Sequence, residues 1–296
     1  MSELINCINN LSAKDIIKSV AKTANGVPFY LQTSGLGGFC AEYQAVYDTL
    51  TTPPSSAIAT AQNSMVASLV DSGIWAKLDT FYLFAQTVNS AGEAYVNWKN
   101  PGTYNCTEIL GGGSISFNAN EGLLGDGTAV LNTNWNPATN GVNFVQDSAG
   151  ITVGIYNDGS AAKYISGVFD GSNYSCLLRP RDAGNTVFLR MNAAAVIESI
   201  ANANSKKHLS LRRTTAAASR LGINKVHSAK AGASAGVPSA VLYVLGYNNN
   251  GAAAGQNLTH RIMYLATHSG LSDADSDSLV DPIETYLDTN GKGLIP

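Results

Sequence analysis

The stretch THRIMYLATHSGLSDADSDSLVDPIETYL, Thr259 to Leu287, decides how the chain folds. Its first part, Thr259 to Ala266, is strongly apolar and reads as a strand. Gly270 turns the chain, and Ser272-x-x-Asp275 caps a helix whose apolar positions recur at Leu279, Val280, Ile283, Tyr286 and Leu287. Asn290-Gly291 marks the end of that helix. Pro282 lies inside the pattern, where it removes a backbone donor, and it predicts a kink or a break.

Upstream, short strand-like runs alternate with turn chemistry at Asn100-Pro-Gly, Gly111-Gly-Gly, Asp126-Gly, Asn140-Gly, Asp158-Gly and Asp170-Gly. Ile151, Val153 and Ile155 share one face of a strand. Tyr164–Phe169, Tyr174–Arg179 and Val187–Met191 follow at hairpin distances, which favours antiparallel pairing. Between Lys207 and Arg213, Leu209 and Leu211 point inward against Ser210 and Arg212 outward, the alternation of a half-buried sheet. Ala240–Leu245 is apolar on both faces and reads as a central strand. The fold class is therefore mainly β: an antiparallel sandwich with an N-terminal helical extension and a C-terminal helix.

The N-terminal region, residues 1–56, reads separately from a sandwich spanning 57–296. Leu4, Ile5, Ile8 and Leu11 fall at helical spacing, and Ser12-x-x-Asp15 opens a second helical pattern. Tyr43, Val46, Tyr47 and Leu50 form a further helical turn before Pro53-Pro54. Met65, Val66, Leu69 and Val70 then make one face of a helix that Gly73 terminates, and Leu78–Ala85 (LDTFYLFA) is the first buried strand.

Only 13% of the 296 residues are charged while 45% are hydrophobic, so the chain is not disordered and its surface is rich in small neutral side chains. Such a surface suits contact with neighbouring subunits. A formal net charge of -3 argues against direct nucleic-acid binding. Lys and Arg dominate from Lys163 to Lys230, whereas acids dominate from Asp273 to Asp288. The cysteines Cys7, Cys40, Cys106 and Cys176 are scattered without metal-ligand spacing and read as small buried hydrophobes. No run is long and apolar enough for a membrane span, and the N-terminus lacks a signal-peptide pattern, so synthesis in a cytoplasm is expected.

Chemistry that would mark an enzyme is thin. Glu93, Glu108, Glu121 and Glu198 are too scattered to form the carboxylate pair of a glycosidase strand. Gly232-Ala-Ser234-Ala-Gly236 spells a nucleophile elbow, but no helix pattern follows it, and a flexible loop is the preferred reading. Asp273, Asp275 and Asp277 lack the Gly and final Glu of a calcium loop and suit a helix's first turn instead. His208, His227, His260 and His268 have no zinc spacing. Nothing selects a metal site in the loops around Asp126, Asn132 and Asp158. Trp75, Trp98 and Trp135 read as buried anchors rather than sugar-stacking platforms.

Four stretches, LVDSGIWAKLDTFYLFA (69–85), VNWKNPGTYN (96–105), GLLGDGTAVLNTNWNP (122–137) and the closing 260–287, together resemble structural proteins of tailed phages and prophages. These carry a laminin-G-like, concanavalin A-like jelly-roll domain. The resemblance covers roughly 60–296 and implies a virion component: a capsid decoration, head fibre, tail or tail-fibre subunit. It transfers no catalytic residue.

The expected function is thus non-enzymatic, with no cofactor and no metal. The partners implied are other virion proteins, further copies of the chain, and, in an adhesin alternative, host glycans. A polysaccharide hydrolase is the second alternative. The binding residues singled out are Tyr247, Asn248 and Asn249, in an Asn/Tyr-rich loop suited to reading hydroxyl groups, and the basic pair Arg212 and Arg213.

Overall fold

The computed structural model describes residues 38–172, 175–194 and 198–296. The helices expected within the first 37 residues lie outside the described residues. Helices α1 (Ala41–Tyr47) and α2 (Ser56–Asp71) lead through a single 3-10 turn into strand β1 (Leu78–Leu83). Strands β2 (Thr107–Ile109), β3 (Ile115–Asn118), β4 (Gly122–Gly125) and β5 (Val130–Asn132) precede a one-turn helix, α3 (Pro137–Asn140), and strand β6 (Ala149–Ile155). One meander comprises β7 (Ser166–Phe169), β8 (Ser175–Arg179), β9 (Thr186–Met191) and β10 (Glu198–Ala201). A second comprises β11 (His208–Thr215), β12 (Ala218–Ile223) and β13 (Val226–Ala231). The chain closes with β14 (Tyr243–Val244), β15 (Tyr247–Asn249), β16 (Ala252–Ala254), β17 (Ile262–His268) and α4 (Asp273–Thr289).

The strands form two sheets. The first runs β13-β12-β11-β6-β17-β4-β3, with β1 also paired to β17. The second runs β10-β9-β8-β7-β14-β5-β2, and the β15–β16 hairpin joins it through a parallel pairing of β15 with β7. All other pairings among the described strands are antiparallel. The fold is the expected mainly β sandwich with helices at either end of the chain.

Two cores explain why β17 is buried along its whole length. Ile262 and Leu265 join Tyr82, Trp135, Val153, Leu178 and Leu209 between the sheets. Met263, Tyr264 and Ala266 face the other way, into a layer of α1, α2 and α4 that contributes Tyr43, Leu69, Leu279, Ile283 and Tyr286. The register shift between Ile262 and Tyr264 lets Met263 and Tyr264 both enter the helical layer. Leu209 and Leu211 do point between the sheets, but the opposite face of β11 is not wet as a half-buried sheet predicts, because α4 lies over it.

Two further expectations shift. Helix α4 runs through Pro282 as one element rather than breaking there, its flanking turns held by buried Leu279, Val280, Ile283 and Tyr286. The apolar run Ala240–Leu245 is central as read from sequence, its Tyr243–Val244 paired between β5 and β7. The compact unit begins at Phe39, so α1 belongs to the sandwich rather than to the separate region drawn to residue 56.

Glycines on β6 make the close packing of β17 possible. A Cβ on Gly150 would sit 2.0 Å from His268 Cε1, and one on Gly154 would sit 2.5 Å from Tyr264 Cε1. Both rings therefore lie across the sheet. His268 donates from Nδ1 to the Ser269 carbonyl at 2.6 Å, leaving Nε2 as acceptor toward Thr152 Oγ1 at 2.9 Å. The ring is held neutral by burial, which pushes its pKa down to about 4. Nearby, His208 bridges Tyr264 Oη at 2.8 Å and Glu284 Oε2 at 2.7 Å, while Glu284 Oε1 accepts the amides of Leu294 and Ile295 at 2.7 and 2.6 Å. Burial opposes ionisation of Glu284, yet these hydrogen bonds win and hold its carboxyl below the usual range.

Gly150→Ala is expected to destabilise the protein by about 3 kcal/mol through overpacking, whereas Gly38→Ala, whose Cβ would meet nothing within 4 Å, should leave the denaturant midpoint unchanged. Acidification acts in one direction. Between pH 6.5 and about 4 the unfolded chain protonates His268 while the fold does not, so stability should fall across that window by up to roughly 3 kcal/mol. Urea melts from pH 7 to pH 4.5 measure this; a flat profile would contradict it.

Candidate ligand-binding face

The basic pair singled out from sequence is internal. Arg212 and Arg213 are both fully buried. Arg212 donates to the carbonyls of Leu271 and Ser272 at 2.9 and 2.7 Å and to Asp273 Oδ1 at 3.0 Å, fastening β11 to the start of α4. Arg213 donates to the carbonyls of Met191 and Gly232 at 2.9 and 2.8 Å. Burial lowers both guanidinium pKa values from their ordinary value. As binding residues they are corrected: adjacent arginines on one strand point to opposite faces, and here both faces are covered.

The loop residues divide. Asn248 is buried and spends its side chain on the Val241 carbonyl and the Gly251 amide, at 2.9 and 2.6 Å. Asn249 is exposed beside the tight turn at Asn250-Gly251, both residues of which have positive φ. Tyr247 is half-buried on the outer face of the second sheet.

That outer face carries more than the loop. Along β8 and β9, Cys176, Leu178, Val187, Leu189 and Met191 point into the core. The alternate positions Leu177, Arg179, Phe188 and Arg190 therefore point out. Pairing sets Leu177 opposite Arg190 and Arg179 opposite Phe188. Gly167 on β7 completes the floor: a Cβ there would sit 2.7 Å from Leu177 Cδ2 and 3.0 Å from Tyr247 Cβ. Tyr164, just before β7, is pinned by its amide to the Gly255 carbonyl at 3.0 Å.

The rings form one cluster. Tyr164 meets Tyr247 edge-on at 4.9 Å between centroids and Phe188 edge-on at 5.8 Å. The Arg179 guanidinium lies 5.0 Å over Phe188 and pairs with Asp182 at 2.7 Å. Arg190 donates from Nη1 to Ser175 Oγ at 3.2 Å and has no carboxylate within ion-pair distance among the described residues. The Nε atoms of Arg179 and Arg190 are buried without hydrogen-bond partners. Burial raises the Tyr164 phenol pKa, with the charges of Arg179 and Arg190 pulling it down.

Carboxylates elsewhere hold loops. Asp158 binds Arg181 Nη1 and the Ser205 amide, and despite burial these bonds draw its pKa down to about 2. Asp126 accepts the amides of Ser114, Thr128 and Ala129. Asp79 accepts those of Val142, Asn143 and Phe144. Asp273, Asp275 and Glu93 serve the α4 start and the 50s loop. Every carboxyl with a resolved shift among the described residues is shifted down. No group of three or more His, Cys, Asp or Glu side chains suited to a metal occurs among the described residues. Ser234, of the elbow-like motif, donates to Asp147 and sits beside Gln146 rather than a histidine. Trp75, Trp98 and Trp135 are buried, as anchors should be.

Of the site, sequence reading reached Tyr247 and missed Tyr164, Phe188, Arg179 and Arg190. The alternation Thr186-Val-Phe-Leu-Arg-Met191 does place Phe188 and Arg190 on one face, but which rings gather beside that face is not written in it. Replacing Arg212 by Ala should cost about 3 kcal/mol by orphaning buried carbonyls, whereas Asn249→Ala should leave stability within about 0.5 kcal/mol; equal midpoints for the two variants would reverse this assignment.

Comparison of the sequence with protein-family models and with curated proteins returns no match. Among solved structures, the fold is similar to domain 4 of AbnA, a GH43 extracellular arabinanase from Geobacillus stearothermophilus, in complex with arabinotriose, at TM-score 0.47 and 15% identity over 69% of this chain and 98% of that one. It is also similar to Trypanosoma rangeli sialidase in complex with sialic acid, at TM-score 0.48 and 12% identity, covering 78% of this chain and 39% of the sialidase. The binding domain of Paraclostridial Mosquitocidal Protein 1 gives TM-score 0.45 and 12% identity over 72% of this chain and 53% of that one. Likenesses this distant carry no argument about activity.

Proposed function

We propose that the chain is a non-enzymatic virion component, joining its particle through the N-terminal region and presenting the sandwich outward. The observation that carries the non-enzymatic part is the state of the carboxylates. A glycosidase acid must hold its proton near neutral pH, which requires a raised pKa. Here Asp79 and Asp126 accept backbone amides and Asp158 accepts the Ser205 amide and Arg181, bonds that hold loops and favour the ionised form.

The virion part rests on the sequence resemblance, whose four blocks converge in space. Strand β1 from the first block pairs with β17 from the last. Trp98 of the second block packs edge-on against Phe81 at 5.9 Å, and Leu123 and Leu131 of the third enter the inter-sheet core. No helix among the described residues is long and apolar enough to cross a membrane.

A second reading, a glycan-binding adhesin, is favoured by one observation: the partly exposed ring cluster Tyr164, Tyr247 and Phe188 on the second sheet. The two readings are compatible, since a particle subunit that reaches a cell surface benefits from holding its sugars.

A chain beginning at Phe39 should keep the thermal transition of the full protein and fail to enter particles, whereas one beginning after Leu50 should melt lower, having lost Tyr43, Val46 and Leu50 from the helical core. Mass spectrometry of purified particles measures incorporation. Normal incorporation of the chain starting at Phe39 would refute the anchoring role.

A further inference from the structure

We propose that the outer face of the second sheet binds carboxylate-bearing glycans, with the sugar ring stacked on Tyr164 and Tyr247 and its carboxylate held by Arg190; this rests on the adhesin reading and names its ligand class. The helices α1, α2 and α4 cover the first sheet; on the outer side of the second, Leu177 and Tyr243 are buried while Tyr164, Tyr247, Phe188 and Arg190 stay partly exposed. There Tyr164 meets both Tyr247 and Phe188, with centroid separations of 4.9 Å and 5.8 Å.

Stacking and charge both point to such a ligand. The apolar side of a pyranose fits against aromatic rings, and the phenol hydroxyls beside them suit sugar hydroxyls. Tyr164 and Tyr247 have no intramolecular hydrogen bond to Oη among the described residues, in contrast with Tyr82, whose hydroxyl donates to the Tyr104 carbonyl at 2.7 Å. A neutral sugar would leave the guanidinium of Arg190 without its natural counterpart. Arg179 is already paired with Asp182, but Arg190 holds only Ser175 Oγ among the described residues and carries a buried, unsatisfied Nε. A planar fork of donors next to a stacking platform matches a carboxylate bidentately.

The side chains are positioned by the backbone rather than by each other. Gly167 and Gly255 have no room for a Cβ: one at Gly255 would sit 2.6 Å from Tyr164 Cδ2 and 3.0 Å from Tyr247 Cε1. The rings thus close over bare backbone, and φ of +57° at Gly255 suits glycine there. Such a platform is rigid before ligand arrives, which lowers the ordering cost of binding.

The test uses the full-length protein and an oligogalacturonate, with its methyl ester as a probe of the same shape lacking the charge. Calorimetry is expected to show binding of the acid at least tenfold tighter than of the ester, weakening as salt is raised. Arg190→Gln should abolish that preference while leaving affinity for the ester unchanged, and Arg190→Lys should restore part of it. Tyr164→Ala and Tyr247→Ala should weaken both probes, with thermal midpoints of all four variants confirming that the fold is kept. Equal affinity for acid and ester, indifference to Arg190→Gln, absence of binding to either probe, or preferential binding of an oligo-dT strand would each overturn the proposal. Incorporation of the Arg190→Gln chain into particles is scored in parallel. Normal incorporation with no acid preference defeats this inference alone, whereas absence of the unaltered chain from particles defeats the virion reading.

Discussion

Burial of β17 on both faces is the constraint on which the rest of the structure depends. One side of the strand closes the space between the sheets through Ile262 and Leu265, and the other receives the helices through Met263, Tyr264 and Ala266. A strand in this position must have its backbone groups fully paired, and β1 and β6 flank it along its length. It must also carry rings that lie flat, which is why β6 presents Gly150 and Gly154 opposite His268 and Tyr264.

Polar groups trapped by this arrangement are satisfied as networks. His208 ties β11 to Tyr264 of β17 and to Glu284 of α4, and Glu284 in turn holds the backbone at Leu294 and Ile295. Arg212 fastens the same strand to the first turn of α4, where Asp273 also receives Arg220. Buried, hydrogen-bonded networks of this kind fix the orientation of the elements they join. The helical layer is thus docked on the first sheet by specific bonds as well as by apolar area.

The helices thus lie on the first sheet, and the aromatic cluster lies on the outer side of the second. Tyr164, Tyr247 and Phe188 pack as a partly exposed cluster, while Asp79, Asp126 and Asp158 are engaged in loop clamps.

By itself the sequence determined the mainly β class, the first strand from Leu78, the cap at Ser272-x-x-Asp275 and the apolar face of the last helix, because each is encoded by local spacing and turn chemistry. It also marked the tryptophans as anchors. Only the tertiary structure decided what lies opposite each face. The Arg212 and Arg213 side chains look solvated on a strand of alternating pattern, and they become internal because α4 covers one side and the second sheet the other. Tyr164 and Arg190 are separated along the chain and meet through the pairing of β7, β8 and β9. Period and capping are properties of neighbours in sequence, whereas exposure depends on which distant element packs on which side.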